Sequence, residues 1–413
     1  MQTPQRAAPR LALLATFAAC LSSFAQASPD GFIVNNGKKL FPLGCYQLPK
    51  EDAELRAMAA AGFNLVHCRD TGDLDRARAA GMMGWVSVPL QLGAESDRLR
   101  KAVEAVWNHP ALAVWEGPDE VVWHLTAYSG LFRDGVYKQP DEWWQQTPFA
   151  VGRSEAEAKR ILSKLIEGSQ MVRRVDQRKH PIWINEAAQS DMKFIREYLD
   201  DIDITGCDIY PIHESNGESH HVPAAVGDYA ERFQRIGRGK PVWMVLQGFS
   251  WHLITPKDER LVAYPSFAET RLMAYDAIAH GAKGILYWGT AYLPKESPFR
   301  ESLFAMTSEL NALQPFLTAK EQANVRVLLT ESLKAKEQAS VRISLQDSNG
   351  QPLESSQGVR PIARQAGNEW LIALVNEDDR SHMGVEITGL AQLVGETLEQ
   401  LYGSEIVTIK HGG

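Results

Sequence analysis

Between about residue 41 and residue 316 the sequence repeats one grammar eight times: a short apolar run, then a segment of helical periodicity. The runs are Phe41–Tyr46, Phe63–Cys68, Gly84–Pro89, Leu112–Glu116, Pro181–Asn185, Ile204–Tyr210, Pro241–Leu246 and Gly284–Trp288, rich in Val, Ile, Phe and Trp. The periodic segments that follow are Glu51–Ala61, Leu74–Ala80, Asp97–Trp107, Ser154–Arg174, Met192–Leu199, Ala224–Ile236, Phe267–Ala279 and Phe299–Phe316. Such alternation predicts parallel strands joined by helical crossovers. Eight units over about 280 residues match a (β/α)8 TIM barrel. An open doubly wound sheet fits less well, because it has fewer strands and a Gly-rich phosphate turn after the first one. Gly62, Gly81, Gly237 and Gly281 fall just past helix ends, where a left-handed cap suits glycine. Ser154 with Glu157 reads as a capping box opening the fourth helix.

The flanks follow other rules. After about residue 320, runs at 324–329, 340–346, 359–364, 369–376, 384–387 and 406–410 read as strands separated by turn signals. They predict a small C-terminal antiparallel β-sandwich over 320–413, after a barrel domain over 28–319. Residues 1–27 read as a signal peptide: Arg6 and Arg10, the apolar run Leu11 to Leu21, then Ala25-Gln26-Ala27. The chain is therefore expected to be exported, periplasmic or secreted. Ala18-Ala19-Cys20 also resembles the end of a lipobox, and the alternative is an outer-membrane lipoprotein anchored at Cys20. No other run reaches transmembrane length. The remaining cysteines, Cys45, Cys68 and Cys207, lie in apolar runs and read as small buried hydrophobes. Net charge is −8 with no Lys/Arg block, which excludes a nucleic-acid binder or a polybasic membrane anchor.

In a barrel, reactive groups sit at the carboxyl ends of strands. The strongest such segment is Trp115-Glu116-Gly117-Pro118-Asp119-Glu120, ending strand four. Crowded carboxylates raise one another's pKa, and a carboxyl protonated near neutrality serves as a general acid. Strand two ends at Arg69, strand five at Asn185-Glu186, strand six at Asp208 and Tyr210, strand seven at Gln247 with Trp251 beyond, strand eight at Trp288. The long loop between Val121 and Arg153 carries Trp123, Tyr128, Phe132, Trp143 and Trp144, rings suited to stack on sugars. His213, Glu214, His220 and His221 form a weak metal signal, and neither a metal nor a cofactor is assigned. There is no nucleophile elbow and no phosphate-cradling loop.

Trp115 to Glu120, Asp208-Ile209-Tyr210-Pro211, and the stretch from Pro265 to Trp288 with His280-Gly281-Ala282-Lys283-Gly284 and Tyr287-Trp288 resemble the clan A glycoside hydrolases. The nearest likeness is to β-galactosidase-like and cellulase-like bacterial barrels. The resemblance implies hydrolysis of glycosidic bonds in an oligo- or polysaccharide, with Glu120 as acid and Asp119 in the position of the clan's Asn. Trp288 matches the floor of the sugar site, and Tyr210 a residue near the nucleophile. The clan's nucleophile, a Glu ending strand seven, is replaced by Gln247, and an amide cannot form a glycosyl-enzyme. Another carboxylate (Glu186, Glu116 or Asp208) is then expected to work with Glu120, or the substrate's acetamido group takes its place. The alternative is an inactive glycan-binding protein of the same fold. Arg69, Trp115, Glu116, Asp208, Tyr210, Gln247, Trp251 and Trp288 are the expected substrate contacts.

Overall fold

The computed structural model describes residues 26–127, 135, 145–215, 218–254, 264–322, 324–329, 358–378, 385–402 and 406–409. Eight parallel strands close into a barrel: β1 Leu43–Cys45, β2 Leu65–Cys68, β3 Met83–Ser87, β4 Leu112–Glu116, β5 Ile182–Ala187, β6 Ile204–Ile209, β7 Val242–Gln247 and β8 Gly284–Trp288. Closure is direct, with Ile285 of β8 opposite Leu43 of β1. The crossover helices are α1 Asp52–Ala60, α2 Thr71–Ala79, α3 Asp97–Val106, α4 Pro148–Val175, α5 Met192–Tyr198, α6 Ala225–Gly237, α7 Phe267–Ala279 and α8 Pro298–Ala312. The predicted (β/α)8 class holds.

Strand periodicity sorts side chains into two cores. Leu65, Trp85, Trp183, Ile204, Trp243, Val245 and Leu286 fill the barrel, while Ile182, Ile184, Met244 and Leu246 face the helices. Trp85, Trp183 and Trp243 are fully buried, and Trp183 lies 6.1 Å from Trp85 and 5.3 Å from Trp243 between ring centroids. Much of the chain's tryptophan is thus core filling. The backbones of β6 and β7 also approach closely, and Gly206 of β6 reflects this. A Cβ there would stand 1.8 Å from the Trp243 carbonyl oxygen.

A hairpin unpredicted from sequence closes the opposite mouth. Strands Gln26–Ala27, Ile33–Asn35 and Lys38–Leu40 pair antiparallel. Ile33 joins the barrel core, and the Trp243 indole donates to the Gly31 carbonyl at 2.9 Å. Gln26 and Ala27 lie inside the expected leader, yet their backbones pair with Val34 and Ile33.

Helix ends follow the sequence with two corrections. Gly62, Gly81 and Gly281 adopt positive φ, but after α6 the left-handed residue is Arg238, at φ 49°, not Gly237. The fourth helix starts six residues before the expected box. Thr147 caps it, accepting from Ala150 N–H at 3.3 Å, with Pro148 next. Ser154 is buried inside the helix and donates to the Leu125 carbonyl. Proline at the first helical position is favourable because its missing N–H would be unpaired there anyway.

Beyond the barrel, strands pair antiparallel: Arg326–Leu329 with Val385–Thr388, Val359–Ala366 with Glu369–Asn376, and Thr397–Glu399 with Ile406–Thr408. Val325, Ala363, Leu390 and Leu393 form their small shared core. The expected strand at 340–346 lies outside the described residues. This C-terminal β unit is docked through Arg364, fully buried, whose Nη1 donates to the Leu317 carbonyl at 2.6 Å. Among the described residues no helix is long and apolar enough to cross a membrane.

Candidate active site

The carboxyl end of β4 turns sharply. Glu120 sits in the left-handed region at φ 47°, ψ 40°. Its N–H donates to the Asn185 carbonyl at 2.9 Å, and its own carbonyl accepts from His124 N–H at 2.9 Å, opening a short helix over Val121–Leu125. A branched-chain-free but bulky residue held there costs on the order of 1 kcal/mol or more, and such strain concentrates at functional positions. The turn is held from behind by Glu186. On the outward face of β5, its carboxylate accepts from Val122 N–H at 3.1 and 3.2 Å, Ser190 Oγ at 2.8 Å and Tyr198 Oη at 2.7 Å. Glu186 has no solvent exposure. Its side chain faces the helices instead of the mouth, so its expected catalytic role gives way to positioning: it pins the helix that begins at Glu120.

The mouth itself gathers carboxyls from two strands. Glu120 is hydrogen-bonded to Asp208, which ends β6. Asp208 is also hydrogen-bonded by Tyr210 and by Asn185 Nδ2 at 3.4 Å. The same Asn185 amide donates to Asp119 Oδ1 at 3.0 Å. Burial, then the Asp208 and Asp119 charges, hold Glu120 well above the usual glutamate range. Burial and then Asp119 raise Asp208 as well. Two carboxyls in direct contact cannot both ionise readily, so the pair holds a shared proton near neutrality.

Glu116 lies one layer deeper, 3% exposed. It accepts from Tyr46 Oη at 2.8 Å, Trp85 Nε1 at 3.2 Å and Ser87 Oγ. His67, lowered by burial and thus neutral, reaches Ser87 Oγ at 2.9 Å. Burial, then Asp119, push Glu116 up to about 7. Burial also pushes Glu186 up to about 7. Both values exceed the unfolded value of about 4.3, so each group binds more protons folded than unfolded. Their contribution is present at low pH and is lost as pH rises through 7. Each should make the fold about 1 kcal/mol more stable at pH 6 than at pH 8. Urea unfolding checks this: the midpoint should fall between pH 6 and 8, and an equal or higher midpoint at pH 8 contradicts these shifts.

One wall of the mouth is aromatic. Tyr210 stacks on Trp288 with centroids 5.8 Å apart and planes at 27°. Phe249 meets both edge-on, at 5.0 and 5.1 Å, and Trp251 closes the group 6.0 Å from Tyr210 while its Nε1 donates to the Tyr210 carbonyl. Phe249 is buried, whereas Tyr210, Trp251 and Trp288 keep partial exposure.

The structure thus brings together Asp119, Glu120, Asp208, Tyr210, Trp251 and Trp288, with Glu116 beneath. It does not bring in three other expected contacts. Arg69 is exposed and pairs with Asp73 at 2.8 Å, one helical turn onward. Trp115 points outward from β4, buried, donating to Asp176 Oδ2 at 2.9 Å. Gln247 has no exposure: its Oε1 accepts from Ile212 N–H at 3.0 Å and its Nε2 donates to the Ile212 and Phe249 carbonyls at 2.9 and 3.0 Å. It ties the β6 and β7 loops together and turns no group toward the mouth. Trp123 packs on the outer core, and Tyr128, Phe132, Trp143 and Trp144 lie outside the described residues. Tyr46, not singled out from sequence, and Asn185, expected only as a strand end and not as a substrate contact, both lie at the centre of this network. Both end strands on the inward side, a signal visible in sequence as position but not as polarity, since Tyr and Asn are also common in turns.

No protein-family model matches this sequence, and no curated protein matches it. Among solved structures the chain is similar to a β-galactosidase from Rahnella sp. R3, at 13% identity and TM-score 0.49, over 70% of this chain and 58% of that one. It is also similar to a β-galactosidase from Marinomonas ef1, at 14% identity and TM-score 0.46, over 66% and 60%. A third is Bacteroides uniformis β-glucuronidase 2, at 12% identity and TM-score 0.45, over 86% and 47%. In each case this chain spans less than two thirds of the other's length. The fold class rests on the chain's own strand pairing, a closed parallel (β/α)8 barrel with a small β unit after it.

Proposed function

We propose that this chain hydrolyses glycosidic bonds in an oligo- or polysaccharide, with Glu120 as proton donor and Asp208 as its partner, and that it acts outside the cytoplasm after export. The observation carrying this reading is the Glu120–Asp208 hydrogen bond beside the Tyr210–Trp288 stack. A protonated carboxyl, an ionised one and an aromatic face are the three things sugar hydrolysis asks of a site.

The Glu120 and Asp208 carboxyls interact directly. An inverting pair needs roughly 6.5–9.5 Å to admit a water, while a retaining pair sits at about 5–5.5 Å. The pair is closer than either spacing and must part as the sugar enters; the retaining spacing is the nearer of the two, so retention is the course we propose. Asp208 attacks the anomeric carbon and the bond to the leaving oxygen breaks as Glu120 delivers its proton there. Glu120, now a carboxylate, takes a proton from water, whose oxygen displaces Asp208 and regenerates both groups. Asn185 and Tyr210 donate to Asp208 and so favour its ionised form, offsetting part of the rise that burial and Asp119 impose.

NMR of the first-formed sugar checks the scheme: retained anomeric configuration is expected. Inversion would remove Asp208 as nucleophile. The second reading, a protein that binds glycans without cleaving them, is favoured by Gln247 at the end of β7. Saturable glycan binding with no product after long incubation would select it and sink the hydrolase.

A further inference from the structure

We propose that the junction between the barrel and the C-terminal β unit is a binding site for one divalent transition-metal ion, of the Zn2+ or Mn2+ class, held by Asp276, His280 and Glu377. Asp276 and His280 lie one turn apart, at the end of α7, and Glu377 follows the strand Glu369–Asn376. Three ligand atoms converge there. His280 Nε2 is 2.9 Å from Glu377 Oε1 and 3.6 Å from Asp276 Oδ1, and all three atoms lie within 4.8 Å of one another. Ligands bound at about 2.0–2.2 Å to a common ion stand roughly 3.0–3.5 Å apart, so little movement is needed.

The outer contacts match what a ligand set requires. A metal-binding imidazole gives its other nitrogen to a carboxylate, and ligating carboxylates are themselves oriented by hydrogen bonds. His280 Nδ1 faces Glu231 Oε2 at 3.4 Å. Asp276 Oδ2 accepts from Gly227 N–H at 2.6 Å. Its other oxygen, Oδ1, is buried, accepts no hydrogen bond, and belongs to a residue with no exposure at all. That atom is the second, independent sign of a missing partner. Only glycine admits α6 this close: a Cβ at 227 would stand 2.5 Å from His280 Nε2 and 2.6 Å from Asp276 Oδ1.

Charge points the same way. Asp228, Glu231, Asp276 and Glu377 act on one another here. The guanidiniums facing them are Arg235, on Glu231, and Arg360, whose Nε is 2.5 Å from Glu377 Oε1. With His280 neutral, as a metal-ligating imidazole must be, two negative charges are left over, and a divalent cation balances them. Arg360 shares the Glu377 oxygen and must swing toward Glu231, 3.7 Å from its Nη2, when the ion enters. One imidazole with two carboxylates is too nitrogen-rich for Ca2+, which takes 6–8 oxygens, and suits Zn2+ or Mn2+.

The test uses the full, tag-free chain, dialysed against EDTA and titrated calorimetrically with ZnCl2, then MnCl2. One ion per chain is expected, with a melting-temperature rise of roughly 2–4 °C or more at saturation. X-ray absorption of the loaded protein should show one nitrogen with oxygens. Asp276→Asn and Glu377→Gln should each weaken binding at least about tenfold, like other losses of metal-shell groups. Glu377→Gln approaches from the C-terminal unit and serves if Asp276→Asn does not fold. Absence of saturable binding by both ions, or wild-type affinity in a folded variant, overturns the proposal.

Discussion

Glu120→Gln should lower kcat by about 10³-fold or more while leaving glycan affinity and melting temperature near those of the unaltered chain. The amide keeps the size of the carboxyl and the left-handed backbone, so the strain at φ 47° is unchanged. It removes only the proton. The charge it replaces was already largely suppressed by burial and by Asp208, so stability has little to lose. Initial rates on a cleavable glycan, with calorimetric binding of the same glycan, check this. Full turnover by Glu120→Gln would remove Glu120 as the acid. Loss of turnover together with unfolding would instead point to a structural role, and Glu120→Gly separates the two. Glycine relieves the backbone strain, so that variant should be inactive yet fold at least as stably.

Asp208→Asn should be as damaging to turnover and should also change Glu120. An uncharged partner no longer repels the Glu120 carboxylate, so Glu120 should titrate at lower pH in the variant. In the unaltered chain the rate should fall on both sides of neutrality. The alkaline fall follows loss of the Glu120 proton, and the acid fall follows protonation of Asp208; both are properties of the pair. Carbon-13 NMR of labelled glutamate reads the Glu120 shift directly, independent of activity. An unchanged Glu120 titration would mean the two carboxyls do not interact, and retained turnover would exclude Asp208 as nucleophile.

The arrangement of carboxyls at the mouth depends on groups packed behind and beneath it. Glu186 holds the helix that starts at Glu120, Asn185 bridges Asp119 and Asp208, and Glu116 with Tyr46 and Ser87 forms the polar layer below. Acidity at the mouth is therefore a shared property. Asp119 raises Glu116, Glu120 and Asp208 together, while Asn185 and His124 temper Asp119 itself. A substitution at any one of these positions moves the titration of the others.

Period and punctuation in the chain determined the barrel. Eight apolar runs of strand length, each followed by a helical segment, allow parallel strands with crossovers, and the parallel closure then directs every strand end to one rim. That is why Glu120, Asp208, Tyr210 and Trp288 were readable as one site although they are spread along the chain. What period alone did not decide is which face a residue at a strand end takes. Alternation reverses with each position, and a bulge between Gly84 and Trp85 shifts the register of β3 on β4. Glu186 and Asn185 are adjacent, and only the fold shows that the amide looks into the mouth while the carboxylate looks away. Trp115, Arg69 and Gln247 were placed at the correct end by sequence and on the wrong partners, since Asp176, Asp73 and the Ile212 backbone become their neighbours only once the helices pack. Local sequence carries the spacing of groups along the chain; side-chain partnership across tens of residues is settled by packing, because burial penalises every polar atom that fails to find a hydrogen bond.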